Sequence, residues 1–227
     1  AMGYEDLNDH DHLRDDPLLQ LLSERPLDAE QPLASASTLC RWENRIDRRP
    51  LVRMATVFVE QFIASQETIP EQLVLDFDAT EDLVHGRQEN RFFHGYYDSY
   101  CFLPLYVFCG EQLLVAYLRP SKIDAAKHSS AIVKLLVQRF RQVWPRVRIV
   151  LRADSGFCRW KLLRWCDRHQ VDYLIGLARN SVLETRLEPW MQQAREQQAA
   201  SGSKQRLFTA FSYGAGTWDR ERRILAK

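Results

Sequence analysis

Apolar and polar positions keep two different rhythms along this chain, and the change between them falls near residue 70. Before it, Leu39, Trp42 and Ile46 recur at helical spacing behind Ser37, a good N-cap, while Arg41, Arg45, Arg48 and Arg49 gather on the other side. Leu51, Val52, Ala55, Phe58, Val59, Phe62 and Ile63 make the stripe of a further helix over residues 51–65. Asp15 or Asp16 is placed to cap a short helix with Pro17 in its first turn. Residues 1–70 are therefore expected to form a small helical region. The arginines between positions 45 and 53 are a candidate contact for DNA phosphates, and equally an ordinary solvated helix face.

Beyond residue 70 the pattern turns to strands. Residues 73–79 alternate, so Asp76 and Asp78 share one face and Leu75 and Phe77 the other. Residues 81–90 read as a polar loop, and 102–109 with 112–118 as an antiparallel hairpin about Gly110-Glu111. Ile132, Val133, Leu136, Val137, Phe140, Val143 and Trp144 mark a long helix that Asp124 can cap and Pro145 ends. A strand over 147–153, the turn Asp154-Ser155-Gly156, a helix over 157–168 and a fifth strand over 171–178 follow. Residues 192–205 are polar and helical at best, and 207–227 suggest strands around Gly214 and Gly216.

A long helix between the third and fourth strands lets the chain return beside the first, giving a mixed sheet of order 3-2-1-4-5 with strands one and four parallel. Asp78 and Asp154 then sit at the carboxyl ends of adjacent central strands, where open α/β sheets bind ligands. Two acids on a buried strand are costly without a compensating cation, and carboxylates a few ångströms apart suit magnesium.

Composition adds limits. The 227 residues are 45% apolar, enough for one large domain or a domain with a helical appendage. A formal net charge of +1 announces no nucleic-acid partner, so a basic surface must be local. No apolar run approaches bilayer length and the first residues show no leader pattern, which suggests an intracellular protein. The five cysteines contain no Cys-x-x-Cys pair and read as reduced. His10-Asp11-His12 reads as part of a solvated acidic face rather than a metal site.

Asp-Ala-Thr at 78–80, Leu-Arg-Ala-Asp-Ser-Gly-Phe at 151–157, and the segments at 3–10, 92–97 and 176–180 stand in an order that resembles DDE transposases of bacterial insertion sequences, group 1, insertion-sequence family 1380 type. The likeness spans nearly the whole chain. It implies an α/β fold: a ribonuclease H-like mixed sheet over residues 71–180 flanked by helices, after the helical region 1–70 and before the start of a β-rich insertion at 181–227. It implies that Asp78 and Asp154 are the first two catalytic acids, holding Mg2+ or Mn2+, with two ions in the complete enzyme and Asp76 a supporting acid or further ligand. The activity implied is cleavage of DNA at element ends and strand transfer to target DNA. The partners implied are DNA and further copies of the chain assembled on it, in the bacterial cytoplasm and at the nucleoid when acting.

The sequence departs from that family at the third acid, a glutamate on a helix after the insertion. Glu184, Glu188 and Glu196 lie too early and Glu221 falls in an expected strand. The chain therefore reads as an internal fragment lacking both ends, with the third acid expected past residue 227. Arg152, Arg159 and Arg179 are candidate DNA contacts; for Arg152 the alternative is a salt bridge to an acid of the site. Two other functions stay open: a ribonuclease H-like nuclease that cuts without joining, and a remnant that binds DNA or a partner without chemistry.

Overall fold

The computed structural model describes residues 6–26 and 31–227, the side chain of Arg48 excepted; residues 3–5 of the segment 3–10 lie outside it. The chain divides into two compact units, Ala1–Val57 and Phe58–Lys227. The first holds helices α1 (His10–Leu13), α2 (Pro17–Leu22) and α3 (Ala36–Glu43), and the start of α4 (Arg48–Ala64). Asp16 caps α2 as the sequence suggests, accepting from the Leu18 and Leu19 amides at 2.8 and 3.0 Å with Pro17 in the first turn. Ser35 rather than Ser37 caps α3. Among the described residues no helix is long and apolar enough to cross a membrane.

The second unit is built on strands β1 (Gln72–Ala79), β5 (Leu105–Cys109), β6 (Gln112–Tyr117), β7 (Arg148–Ala153) and β8 (Asp172–Ile175), in the order β6-β5-β1-β7-β8. Pairing is antiparallel from β6 through β5 to β1 and parallel from β1 through β7 to β8. This is the expected 3-2-1-4-5 order of a ribonuclease H-like sheet. Alternation assigns its faces: Leu73, Leu75 and Phe77 of β1 are buried and join Leu105, Val107, Leu114, Ile149 and Leu151 in one core. Helices α5 (Ser129–Val143) and α6 (Trp160–Arg168) add Val133, Leu136, Val137, Phe140, Leu162 and Cys166. From α4, Val59 and Phe62 enter the same core, with the Phe62 ring edge-on to Phe140 and Trp144 at 5.6 and 6.3 Å.

Four features depart from the sequence pattern. Leu51, Val52 and Phe58 of the expected α4 stripe are exposed, because burial begins only at Val59. The loop after β1 and the start of the expected hairpin contain a small antiparallel sheet instead, β2 (Asp82–Leu83), β4 (Ser99–Phe102) and β3 (Phe92–His94). The long helix begins at Ser129 rather than beside Asp124, which closes a turn onto the Ala126 amide at 2.8 Å. Finally, α7 (Ser181–Ser201) starts well before the polar stretch at 192–205, capped by Asn180, and precedes the hairpin of β9 (Thr209–Tyr213) and β10 (Arg222–Ala226).

That hairpin is tied to α6 and β8 by Arg222, whose side chain is 4% exposed. Its guanidinium donates to Asp167 at 2.8 Å, Asp219 at 2.9 Å and the Tyr173 hydroxyl at 3.0 Å, so the buried charge is met by carboxylates and a phenol.

The thiol of Cys166 on α6 has no exposed surface, and burial pushes it up to about 12 from an ordinary 9.0. Burial also raises Cys109 and Cys158. A folded value above the unfolded one gives stability that is complete below the unfolded value and lost as pH rises through the folded one. Unfolding free energy measured in urea should therefore fall as pH climbs from about 9 to about 12. Cys166→Ala should flatten that slope; an unchanged slope would mean that this thiol is not held neutral by the fold.

Candidate active site at the carboxyl edge of the sheet

Register places the two acids. In the parallel ladder Asp76 lies opposite Arg152 and Phe77 opposite Ala153, so the next position along each strand is Asp78 on one side and Asp154 on the other. Neighbouring strands lie about 4.8 Å apart, which sets the scale of the gap between these backbones. Asp76 and Asp78 share a face of β1, as do Arg152 and Asp154 beside them. On the β5 side Phe108 and Tyr106 stand opposite Asp76 and Asp78.

The acids are not buried, contrary to the sequence expectation of two acids on a buried strand. Asp78 and Asp154 are exposed, and the Asp76 side chain keeps 26% of its surface. Only the face carrying Leu73, Leu75 and Phe77 is closed. Neither Asp78 nor Asp154 is ion-paired to a Lys, Arg or His among the described residues.

Asp76 is engaged. Both of its oxygens accept from Arg152, one from Nε and the other from Nη2, the latter at 2.6 Å. This two-pronged geometry uses the planar fork of the guanidinium, and it raises the Arg152 pKa. The salt bridge weighed for Arg152 in the sequence is thus present, with Asp76 as its acid. Arg159, just before α6, pairs with Asp124 at 2.5 Å. Arg179 is exposed between β8 and α7, where with Arg152 it lines an open groove along β8 that neither Asp78 nor Asp154 lines.

Asp154 sits at the head of a 3-10 turn, Ser155–Phe157, its Oδ1 accepting the Gly156 amide at 2.8 Å. That bond fixes one oxygen and leaves the other open. The end of β8 closes in from the next strand: the Gly176 amide donates to the Ala153 carbonyl at 3.0 Å, and a Cβ on Gly176 would stand 2.8 Å from the Ser155 nitrogen. Only glycine admits so close a backbone approach. Gly176 was noted in the sequence merely as part of a segment; nothing in its neighbours says that it abuts the Asp154 turn. Tyr97 was likewise not singled out. Burial, then Tyr96, Glu81 and Asp78, push its phenol up, which puts this ring within the field of the acid edge.

As donors, Asp78 and Asp154 fit a hard divalent cation such as Mg2+ or Mn2+, which takes carboxylate oxygens and fills its remaining positions with water or phosphate. No third His, Cys, Asp or Glu gathers with them among the described residues. Glu188 is occupied on α7 by Arg195 at 3.0 Å.

Gly176→Ala should cost about 1–3 kcal/mol in urea unfolding, the penalty of forcing a backbone apart. Gly95→Ala, with nothing within 4 Å of the added carbon, should stay within about 0.5 kcal/mol of the parent. Equal effects at both positions would remove the close approach as the cause.

The family model described as transposase DDE domain group 1 matches residues 1–227. No curated protein matches the sequence. Among solved structures, the chain is similar to the piggyBac transposase synaptic complex with hairpin DNA at 13% identity and a TM-score of 0.42, over 99% of this chain and 48% of that one. It is similar to the Mos1 transposase paired-end complex with the left transposon end at 11% identity and a TM-score of 0.31, over 84% and 70%. For the HTLV-2 integrase catalytic core domain in complex with magnesium the values are 8% and 0.28, over 61% and 79%. The chain spans about half the length of the piggyBac protein in that structure, at 48%. With its whole described length matched by one family model, the chain belongs to the transposase DDE domain group 1 family.

Proposed function

We propose that this chain is the catalytic core of a DNA transposase that performs metal-dependent phosphoryl transfer, cutting DNA at the element ends and joining the freed 3′ hydroxyl to target DNA. The observation that carries the reading is the placement of Asp78 and Asp154 side by side at the carboxyl ends of two adjacent parallel strands, both exposed and neither ion-paired to Lys, Arg or His among the described residues. They would hold the divalent ions, two in the complete enzyme. Bound there, such ions lower the pKa of an attacking water or hydroxyl and stabilise the leaving oxygen.

The chain's own residues prepare that edge. Arg152 holds Asp76 by both oxygens, which stiffens the register two residues behind the acids and keeps Asp76 from swinging toward them. The Gly156 amide fixes which oxygen of Asp154 points into the turn. Arg179, exposed beyond β8, and Arg159, once drawn from Asp124, would follow the DNA backbone. The exposed arginines 45, 49 and 53 offer a second phosphate contact, and residues 181–227 serve as the insertion beside the core. Assembly of several copies on DNA belongs to the same reading.

A second reading, DNA binding without chemistry, has one observation in its favour: the described residues bring no third carboxylate to the pair.

The test uses the protein with a labelled element-end duplex, a target plasmid and Mg2+ or Mn2+. Joined product is expected. Asp78→Ala and Asp154→Ala should fold and give none, whereas Asp76→Ala should lose about 10- to 100-fold, as supporting partners of metal ligands do. Cleavage without joining would replace the transposase by a nuclease, and DNA binding with no metal-dependent cleavage would establish the second reading.

A further inference from the structure

Arg119, two residues past the end of β6, is 1% exposed, yet no carboxylate pairs with it among the described residues. Its Nε donates to the Leu103 carbonyl at 2.8 Å, and Nη1 donates to the carbonyls of Ala125 at 3.0 Å and Lys127 at 2.6 Å. Nη2 is buried without a partner. Desolvating a guanidinium with only carbonyl acceptors is costly, and an apolar side chain of similar volume would avoid that cost. What an apolar side chain cannot do is gather three carbonyls from separate stretches onto one rigid plane.

Those carbonyls define what the plane holds. Leu103 is the fixed end: its amide donates back to the Arg119 carbonyl at 2.8 Å, and Leu105, two residues on, pairs with Ala79 beside Asp78. Ala125 and Lys127 belong to the loop between β6 and α5. Its tip lies beside the Asp154 turn and the start of α6. The Asp124 carboxylate holds Arg159 at 2.5 Å, and the Ala125 methyl lies 3.6 Å from where a Cβ on Gly156 would be. Gly156 is the residue whose amide donates to Asp154 Oδ1. The turn therefore lies between the Gly176 backbone, one residue past β8, and the Ala125 loop, whose carbonyls Arg119 holds.

We propose that Arg119 is a positioning residue for the Asp154 carboxylate, acting through the Ala125 and Lys127 carbonyls and the Ala125 methyl, which lies over the side of Gly156 that a Cβ would occupy. The proposal rests on Asp154 being a metal ligand only for its functional consequence; its structural content stands alone. It links the two acids mechanically, since the Arg119 plane is anchored beside the strand end that carries Asp78 and ends at the turn that carries Asp154.

The test is nuclear magnetic resonance of the 227-residue chain. In Arg119→Met the Gly156 amide proton should move upfield, by more than any amide of β1 or β7, as its bond to the carboxylate weakens. Ala125→Gly removes only the methyl and should move the same resonance in the same direction; it decides the matter if Arg119→Met does not fold. Addition of Mn2+ should broaden Gly156 in the parent, and the concentration needed should rise about tenfold in either variant. A folded variant in which Gly156 stays in place, or in which β1 and β7 amides move as far as Gly156, would overturn the proposal. If Mn2+ broadens nothing near Gly156 in the parent, the metal reading of Asp154 fails while the shift arm still decides the role of Arg119.

Discussion

Everything at the carboxyl edge depends on the register of one parallel ladder. Because side chains alternate along both strands and parallel partners share a face, fixing Asp76 against Arg152 fixes Asp78 beside Asp154. A slip of one residue would turn Asp78 toward the core and Phe77 out of it. Such a slip is opposed from both ends: Leu73, Leu75 and Phe77 fill the closed face, and the Asp76–Arg152 pair locks the open one. The pair contributes modestly to stability, since the Arg152 side chain is 59% exposed and water screens it. Its larger effect is on alignment, because two parallel hydrogen bonds form only when the strands are in step.

Strand geometry ends at Ala153, so the placement of Asp154 is handed to local contacts. An aspartate at the head of a short turn can rotate about its side-chain bonds; the Gly156 amide holds one oxygen of this one, and the Gly176 backbone packs against the backbone of its turn. The acid edge thus draws on the sheet, the turn after β7 and the residue past β8, and the buried network of Arg222 with Asp167 and Tyr173 in turn holds α6 and β8 to the β9–β10 hairpin.

The sheet order and the placement of Asp78 and Asp154 at neighbouring strand ends were legible in the sequence because their signals are local and periodic. Alternation over residues 73–79 names the faces of β1, and the helical run ending at Trp144 requires the return that makes β1 and β7 parallel. What escaped was set by contacts distant in sequence. The burial of Asp76 was overestimated because alternation says which residues share a face but not whether that face is covered. Asp124 looked like the cap of α5, yet Arg119 claims the carbonyls of Ala125 and Lys127, and those carbonyls then cannot serve a helix begun at Asp124. Gly176 and Ala125 are ordinary residues in unremarkable stretches; only folding brings them against the Asp154 turn. The apolar stripe of α4 was read correctly as a periodicity and too broadly as a core, since burial starts only at Val59.

The exposure of the acid edge resolves the difficulty that the sequence raised about two like charges. Unit charges about 5 Å apart repel by roughly 3 kcal/mol at an effective dielectric of 20 and by less than about 1 kcal/mol in water. With Asp78 and Asp154 exposed, the lower figure governs. The Arg152 guanidinium is held by Asp76 two residues back along the strands, away from the two acids. An open, charged pair of hard oxygen donors is what a divalent cation needs from the protein when DNA phosphate supplies further ligands. In the proposed site Asp76 would serve as a supporting acid, holding Arg152 away from the ion that Asp78 and Asp154 would bind.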